Sequence, residues 1–360
     1  MLTRDQVISA YQLILQRMPE DEAAISYHID FGDLFALGRH MMDSPEFKQS
    51  RQPDAVEVRP QFSEAVHEHH IVTGYAPSDL AVFERFHRYV GEGRPGFVTN
   101  FLGARTRCDL QTPLLPFDGA VEGLPQPVGS TQGETAEWIG TLRSVAEADG
   151  QFRLLELGAG YGPWMAITCL AARQQTISDI HVYGVEGDVG HVEFAHINMR
   201  DNDIPEAEYT VIHSAVGAED GVIYWPVHDD PGGTYGGRPM EADGSSYLGT
   251  TLGQVVEVPV VGINGLLQRE SRWDLVHIDI QGHEGDVCRA GITEMTRRVH
   301  RVVIGTHSRV QDGIVMDIFH KAGWALENEK PTIAIWRPEV PTVEGMAIVD
   351  GVQVWRNPYV

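Results

Sequence analysis

Three cysteines in 360 residues, Cys108, Cys169 and Cys288, are too few and too scattered for a disulfide framework. No CxxC or CxxxH spacing offers a zinc site. Basic residues are scarce as well: 27 Lys+Arg stand against 51 Asp+Glu, a formal charge of −24. Such a surface repels nucleic acid and anionic membranes, and the densest basic cluster is only Arg105 with Arg107. No apolar run approaches the roughly 18 residues that a membrane span requires. The opening stretch, MLTRDQVISAYQLILQRM, mixes polar and apolar residues at helical spacing, unlike a signal peptide. A cytoplasmic protein with reduced thiols is expected, with no nucleic-acid partner and no membrane span. What the chain does have is apolar content, 42%, enough for a substantial core.

Val7, Ile8, Tyr11, Ile14 and Leu15 recur at three- and four-residue intervals, and DSPEF (Asp43 to Phe47) reads as the cap of a further helix. The apolar pattern breaks from Ser50 to about Pro60. Three regions are therefore expected: a helical domain over 1–52, a helical and loop segment over 53–130 that contributes to an acceptor site, and a main domain over 131–360. Helices are read in FSEAVHEHHIV, SDLAVFERFHRYV and ETAEWIGTLRSVAEA. From Phe152 onward, strands FRLLEL, HVYGVE, YTVIHSAV, WDLVHIDI and RVVIGTH alternate with amphipathic helices, and TIAIWRP with GVQVWRN is expected as a closing antiparallel pair. This alternation predicts an α/β fold, a mostly parallel sheet with helices on both faces.

The strand RLLEL runs into GAGYGP, with glycines at 158, 160 and 162. A dinucleotide fingerprint needs its third glycine three places after the second, where this chain has Pro163. Glu156, two places before the first glycine, would repel a pyrophosphate but suit the sulfonium and ammonium of S-adenosylmethionine. Gly158, Gly160 and Tyr161 would bring that cofactor against bare backbone. Glu186 with Gly187 at the tip of the next strand would take the ribose hydroxyls, and Ser214 with Ala215 would border the adenine.

The stretch from about Phe152 to Leu326 resembles the FkbM family of S-adenosylmethionine-dependent methyltransferases. The likeness rests on LLELGAGYG, VYGVEGD followed by HINMRDN, IHSAVGAEDG, VHIDIQGHEGD and GTHSR before HKAGWAL. It implies a class I Rossmann-like fold and O-methylation of sugars, polyketides or other natural products. Gln281 stands where the family more commonly has Glu. The first fifty residues resemble small helical domains beside glycan-modifying enzymes, which implies substrate presentation or a homo-oligomer.

Methyl transfer to a hydroxyl needs alignment and a proton acceptor at the carboxyl ends of the central strands. Asp279 is expected there as an acceptor-facing carboxylate or a metal ligand, and His307 and His283 are the candidate bases. A divalent ion, Mg or Mn, held by Asp279 with His283, Glu284 or His307 would acidify a sugar diol. Glu284 and Asp286 equally suit a helix N-terminus, and His277 reads as a core residue. His67, His69 and His70 read as a solvated helix face. The long stretch from Trp225 to Thr251 is expected as a lid whose Trp225, Tyr235 and Tyr247 stack on a sugar ring. Arg105 and Arg107 would hold an anionic group of the substrate or form internal ion pairs. Two rival readings stand beside the enzyme: a scaffold that binds S-adenosylmethionine or a glycan without turnover, and an NAD-type oxidoreductase.

Overall fold

A computed structural model describes residues 2–15, 17–49, 73–127, 129–240 and 254–360. The chain divides into two compact units, Met1–Ser63 and Glu64–Val360. In the first, a capping box built on Thr3 and Gln6 opens α1 (Arg4–Ala10). Aspartate side chains open α2 (Glu22–Ile29) and α3 (Leu34–Asp43). The Ser44 hydroxyl accepts from the Phe47 N–H at α4 (Pro45–Gln49), so DSPEF does cap a helix. Val7, Tyr11, Ile25, Leu37 and Met41 fill this unit's own small core.

FSEAVHEHHIV, with its three histidines, lies outside the described residues. SDLAVFERFHRYV forms only a 3-10 turn, Pro77–Arg85, before the chain turns extended at Phe86. The described part of 53–130 does not stand apart from the main domain. Its Phe83, Phe86, Phe101 and Leu102 share one buried cluster with Trp138 and Phe152, because so little helix and strand cannot close a core alone. A short antiparallel pair, β1 (Phe97–Thr99) and β2 (Arg105–Arg107), and the helix α5 (Thr135–Glu147) lead into the main sheet.

The alternation then runs β3 (Gln151–Leu157), α6 (Pro163–Gln174), β4 (Asp179–Glu186), α7 (Val189–Asp201) and β5 (Tyr209–His213). After an excursion the chain returns through α8 (Ile263–Leu267), β9 (Trp273–Ile278), α9 (Glu284–Arg298), β10 (Val299–Thr306), α10 (Arg309–Lys321) and β11 (Ala325–Lys330). The excursion is a separate small sheet of β6 (Ala215–Gly217), β7 (Gly221–Pro226) and β8 (Val255–Gly262). YTVIHSAV is thus two strands of two sheets. The chain closes with a two-stranded ribbon of β12 (Ile333–Ala334) and β13 (Ala347–Val349), and with β14 (Gly351–Arg356). GVQVWRN does not pair with TIAIWRP. It inserts as β14, antiparallel to both neighbours, between β10 and β11.

The seven-stranded order is β11-β14-β10-β9-β3-β4-β5, parallel apart from β14, which is the class I Rossmann-like arrangement. Strand alternation builds two apolar layers. Leu154, Leu275, Val303 and Val354 face one cluster with Trp138 and Met165. Leu155, Val276, Val302 and Trp355 face the other, with Leu266, Val287 and Phe319. Among the described residues no helix is long and apolar enough to cross a membrane.

Candidate active site

The chain leaves β3 toward β4 on one side, while β9 flanks β3 on the other. Strand order therefore reverses between β3 and β9, and open α/β sheets bind ligands at the carboxyl ends of such a pair. Two loops meet there. Gly158 has φ 76°, and a Cβ on it would lie 1.8 Å from the Asp279 carbonyl oxygen. Only glycine allows both that left-handed backbone and that approach.

A cleft opens at this point. Gly158, Gly160, Glu186, Gly187, Ser214, Ala215, Asp279 and His283 line it, so these candidates converge. Glu186 is fixed at the tip of β4: its Oε2 accepts from the Gly160 N–H and its Oε1 from the Asp188 N–H, both at 2.7 Å. Ser214 donates to the Ala215 and Pro259 carbonyls. The wall includes the Trp225 indole, whose buried N–H finds no acceptor among the described residues. It is an orphan donor within a side chain of the cleft wall.

Two expected cofactor contacts lie elsewhere. Glu156 is 2% exposed and does not line the cleft. It accepts from the Met165 N–H at 3.0 Å and the Trp164 N–H at 3.4 Å, satisfying the start of α6. Burial pushes its carboxyl well above the usual range, against the pull of those two N–H groups. Tyr161 is also buried, packed edge-on against Tyr235 at 5.9 Å. The strand pleat and the turn point both side chains inward.

Asp188, His191 and His228 line the cleft and escaped the sequence reading. Asp188 caps α7 and pairs with His228 at 2.9 Å, and His191 stacks on Tyr235 with centroids 4.3 Å apart. The Asp after VEG, directly before a helix, was the available signal. Tyr235 donates to the Leu110 carbonyl at 2.6 Å, which seats the start of the expected lid over Gly160. Tyr247 lies outside the described residues.

A second cleft adjoins the first. It is lined by Ser130 to Glu134, Glu137, Gly305, Val349 to Val352, and again Asp279. Asp279 is the one side chain common to both linings. Its Oδ1 receives Gln281 Nε2 at 3.1 Å and lies 3.1 Å from His307 Nε2. Its Oδ2 faces Gly305, a wall of the second cleft, and has no hydrogen bond among the described residues. Gln281 holds a left-handed φ of 54°, strain that positions its amide on the aspartate.

His307 lines neither cleft. It is buried with Nδ1 2.7 Å from Glu284 and Nε2 toward Asp279. Burial works to lower its pKa, but Asp279 and then Glu284 outweigh that and raise it well above the ordinary value. Enclosed by two carboxylates and absent from both cleft linings, His307 is placed to orient Asp279 rather than to meet an acceptor hydroxyl. Burial likewise works to raise the Asp279 carboxyl, but the His307 charge holds it below its usual value. Glu284 is fully buried in the first turn of α9. His283 is exposed on the rim of the first cleft. His277 is buried beside Trp164.

No group of three or more His, Cys, Asp or Glu is arranged to hold a metal ion among the described residues. Of the expected Mg or Mn ligands, Asp279 and Glu284 face His307 from its two sides, while His283 stands exposed on the rim. Arg105 and Arg107 pair with Asp203 and Asp201, tying β2 to the end of α7 rather than facing a substrate.

No family model matches the chain. A curated protein of Jannaschia sp. (strain CCS1) that carries a methyltransferase name is 33% identical over 276 residues, covering 76% of this chain and 96% of its own. Among solved structures, the methyltransferase FkbM of Methylobacillus flagellatus KT is 10% identical. It covers 64% of this chain and 56% of its own, with a TM-score of 0.37. Magnesium protoporphyrin IX methyltransferase of Synechocystis PCC 6803, solved with bound SAM, is 10% identical, covering 61% and 77% with a TM-score of 0.34.

Proposed function

Because the chain belongs to the methyltransferases, we propose that it methylates a hydroxyl of a sugar or sugar-bearing natural product, with S-adenosylmethionine as donor. The observation that carries this reading is Asp279, whose carboxylate belongs to two adjoining clefts at once. The first cleft suits the cofactor. The Trp225 indole gives its wall an aromatic surface suited to an adenine, and the Glu186 oxygens retain acceptor capacity for ribose hydroxyls. Glu186, Asp188 and Asp279 make the cleft hostile to a pyrophosphate, which weighs against the NAD-type alternative. The acceptor hydroxyl is drawn from the FkbM resemblance.

Bound in the first cleft, S-adenosylmethionine supplies an electrophilic methyl group on a sulfonium. The chain supplies the rest. Asp279 Oδ2, on the second-cleft side, receives the hydroxyl proton as the oxygen becomes nucleophilic. His307 and Gln281 hold Oδ1 and thereby aim the carboxylate. Tyr235 and Trp225 exclude water from the first cleft.

The test is transfer of an isotopically labelled methyl group to a panel of sugars, nucleotide sugars and glycosylated polyketides, read by mass spectrometry. Asp279→Asn should lower turnover by about 10²–10⁴-fold while retaining S-adenosylhomocysteine affinity. A fully active Asp279→Asn protein contradicts the assignment. Cofactor binding with no transfer to any acceptor favours the scaffold reading.

A further inference from the structure

The second cleft is unusually anionic for a polyol site. Four of its side chains are carboxylates, Glu134, Glu137, Asp279 and Asp350. Nearby cations are already committed. Lys330 Nζ binds Glu134 at 2.6 Å, and His307 lies between Asp279 and Glu284, 4.0 Å from Asp350 at its closest. Glu137 and Asp350 have no Lys or Arg partner among the described residues.

An independent sign of a missing donor sits beneath them. Glu137 is 8% exposed, and its Oε2 is used by the Glu134 N–H at 2.7 Å. Its Oε1 has only His277 Nε2 at 3.3 Å, out of line for a hydrogen bond. His277 is 2% exposed, and neither ring nitrogen has a hydrogen-bond partner among the described residues. A buried His–Glu pair left incomplete under an open cleft is costly unless a ligand completes it.

We propose that this cleft selects an acceptor bearing a protonated amine beside its hydroxyls, an amino sugar or aminocyclitol, with the ammonium held by Glu137 and Asp350 and a hydroxyl at Asp279. This rests on the methyltransferase reading and narrows its substrate class. A neutral polyol would supply hydrogen-bond donors but leave the buried Glu137 carboxylate, and Asp350 beside it, without a counter-charge. An ammonium supplies both, and the −24 chain draws it in from solution. Methylation stays at oxygen, because an ammonium held between carboxylates has no lone pair to attack with.

The test uses the whole chain and two matched probes, 2-deoxystreptamine and the neutral cyclitol myo-inositol. S-adenosylhomocysteine is titrated first by calorimetry, and absence of that binding overturns the methyltransferase reading itself. Each cyclitol is then titrated into the loaded protein. The amine is expected to bind at least about tenfold tighter than inositol, a gap that closes in Glu137→Gln/Asp350→Asn. Added salt should weaken the amine and spare inositol. Asp350→Asn alone, at an exposed side chain, should narrow the gap if the double variant does not fold. Equal affinities, no saturation by the amine at millimolar concentration, or a gap untouched by Asp350→Asn would each overturn the proposal.

Discussion

Asp279, His307 and Glu284 form one electrostatic unit, and its titration is readable. His307 has its pKa raised in the fold, so its contribution to stability is complete below the ordinary histidine value of about 6.5. That contribution drains away as pH climbs through the raised value. Asp279 is shifted the other way, so its contribution holds above about 3.9 and is lost as acid reaches its lowered value. His307→Leu strips the fully buried Glu284 of its partner and should cost about 3–5 kcal/mol in urea unfolding near pH 6. The deficit should narrow at alkaline pH. A pH-independent deficit would mean that only packing is lost. At this scale the sequence was half legible: residue type flagged Asp279 and Glu186, but a carboxylate's or histidine's partners come from distant strands. Glu156 was read as a cofactor contact and His307 as a base because nothing in LLELG or GTHSR reveals the N–H groups and carboxylates that surround them.

The element that matters most is the turn after β3. Gly158→Ala adds a Cβ onto the Asp279 carbonyl at a left-handed φ, so it should destabilise by about 1–3 kcal/mol and also displace Asp279. Gly96 shares a positive φ, but a Cβ there meets nothing within 4 Å. Gly96→Ala should therefore cost only the backbone penalty, about 1–2 kcal/mol, and leave S-adenosylhomocysteine affinity unchanged. Equal effects on affinity would deny the close approach of the two loops. The βα alternation from Phe152 was legible because strands buried on both faces carry short apolar runs, such as Val302 to Ile304 of β10. β11 was not, since ALENEK is polar and its Glu327 is held by Arg301, 26 residues earlier. The insertion of β14 beside β10 was hidden too, because pairing across such distances leaves no local pattern. SDLAVFERFHRYV had helical spacing, yet packing into the main core overrode it.

At the scale of the whole molecule, a strand order reversing between β3 and β9 places two clefts side by side, and an acidic chain surrounds them. The composition correctly turned attention away from disulfides, with all three cysteines free and buried. Membership of the methyltransferases gives this architecture its chemistry. The most direct measurement is a calorimetric titration of the full chain with S-adenosylhomocysteine, repeated on Trp225→Leu. One saturable site is expected, weakened at least about tenfold by the loss of the indole wall. At a hundredfold excess over Kd the ligand should stabilise the fold by about 2.7 kcal/mol. No binding, or binding indifferent to Trp225, would contradict the placement of the donor in the first cleft.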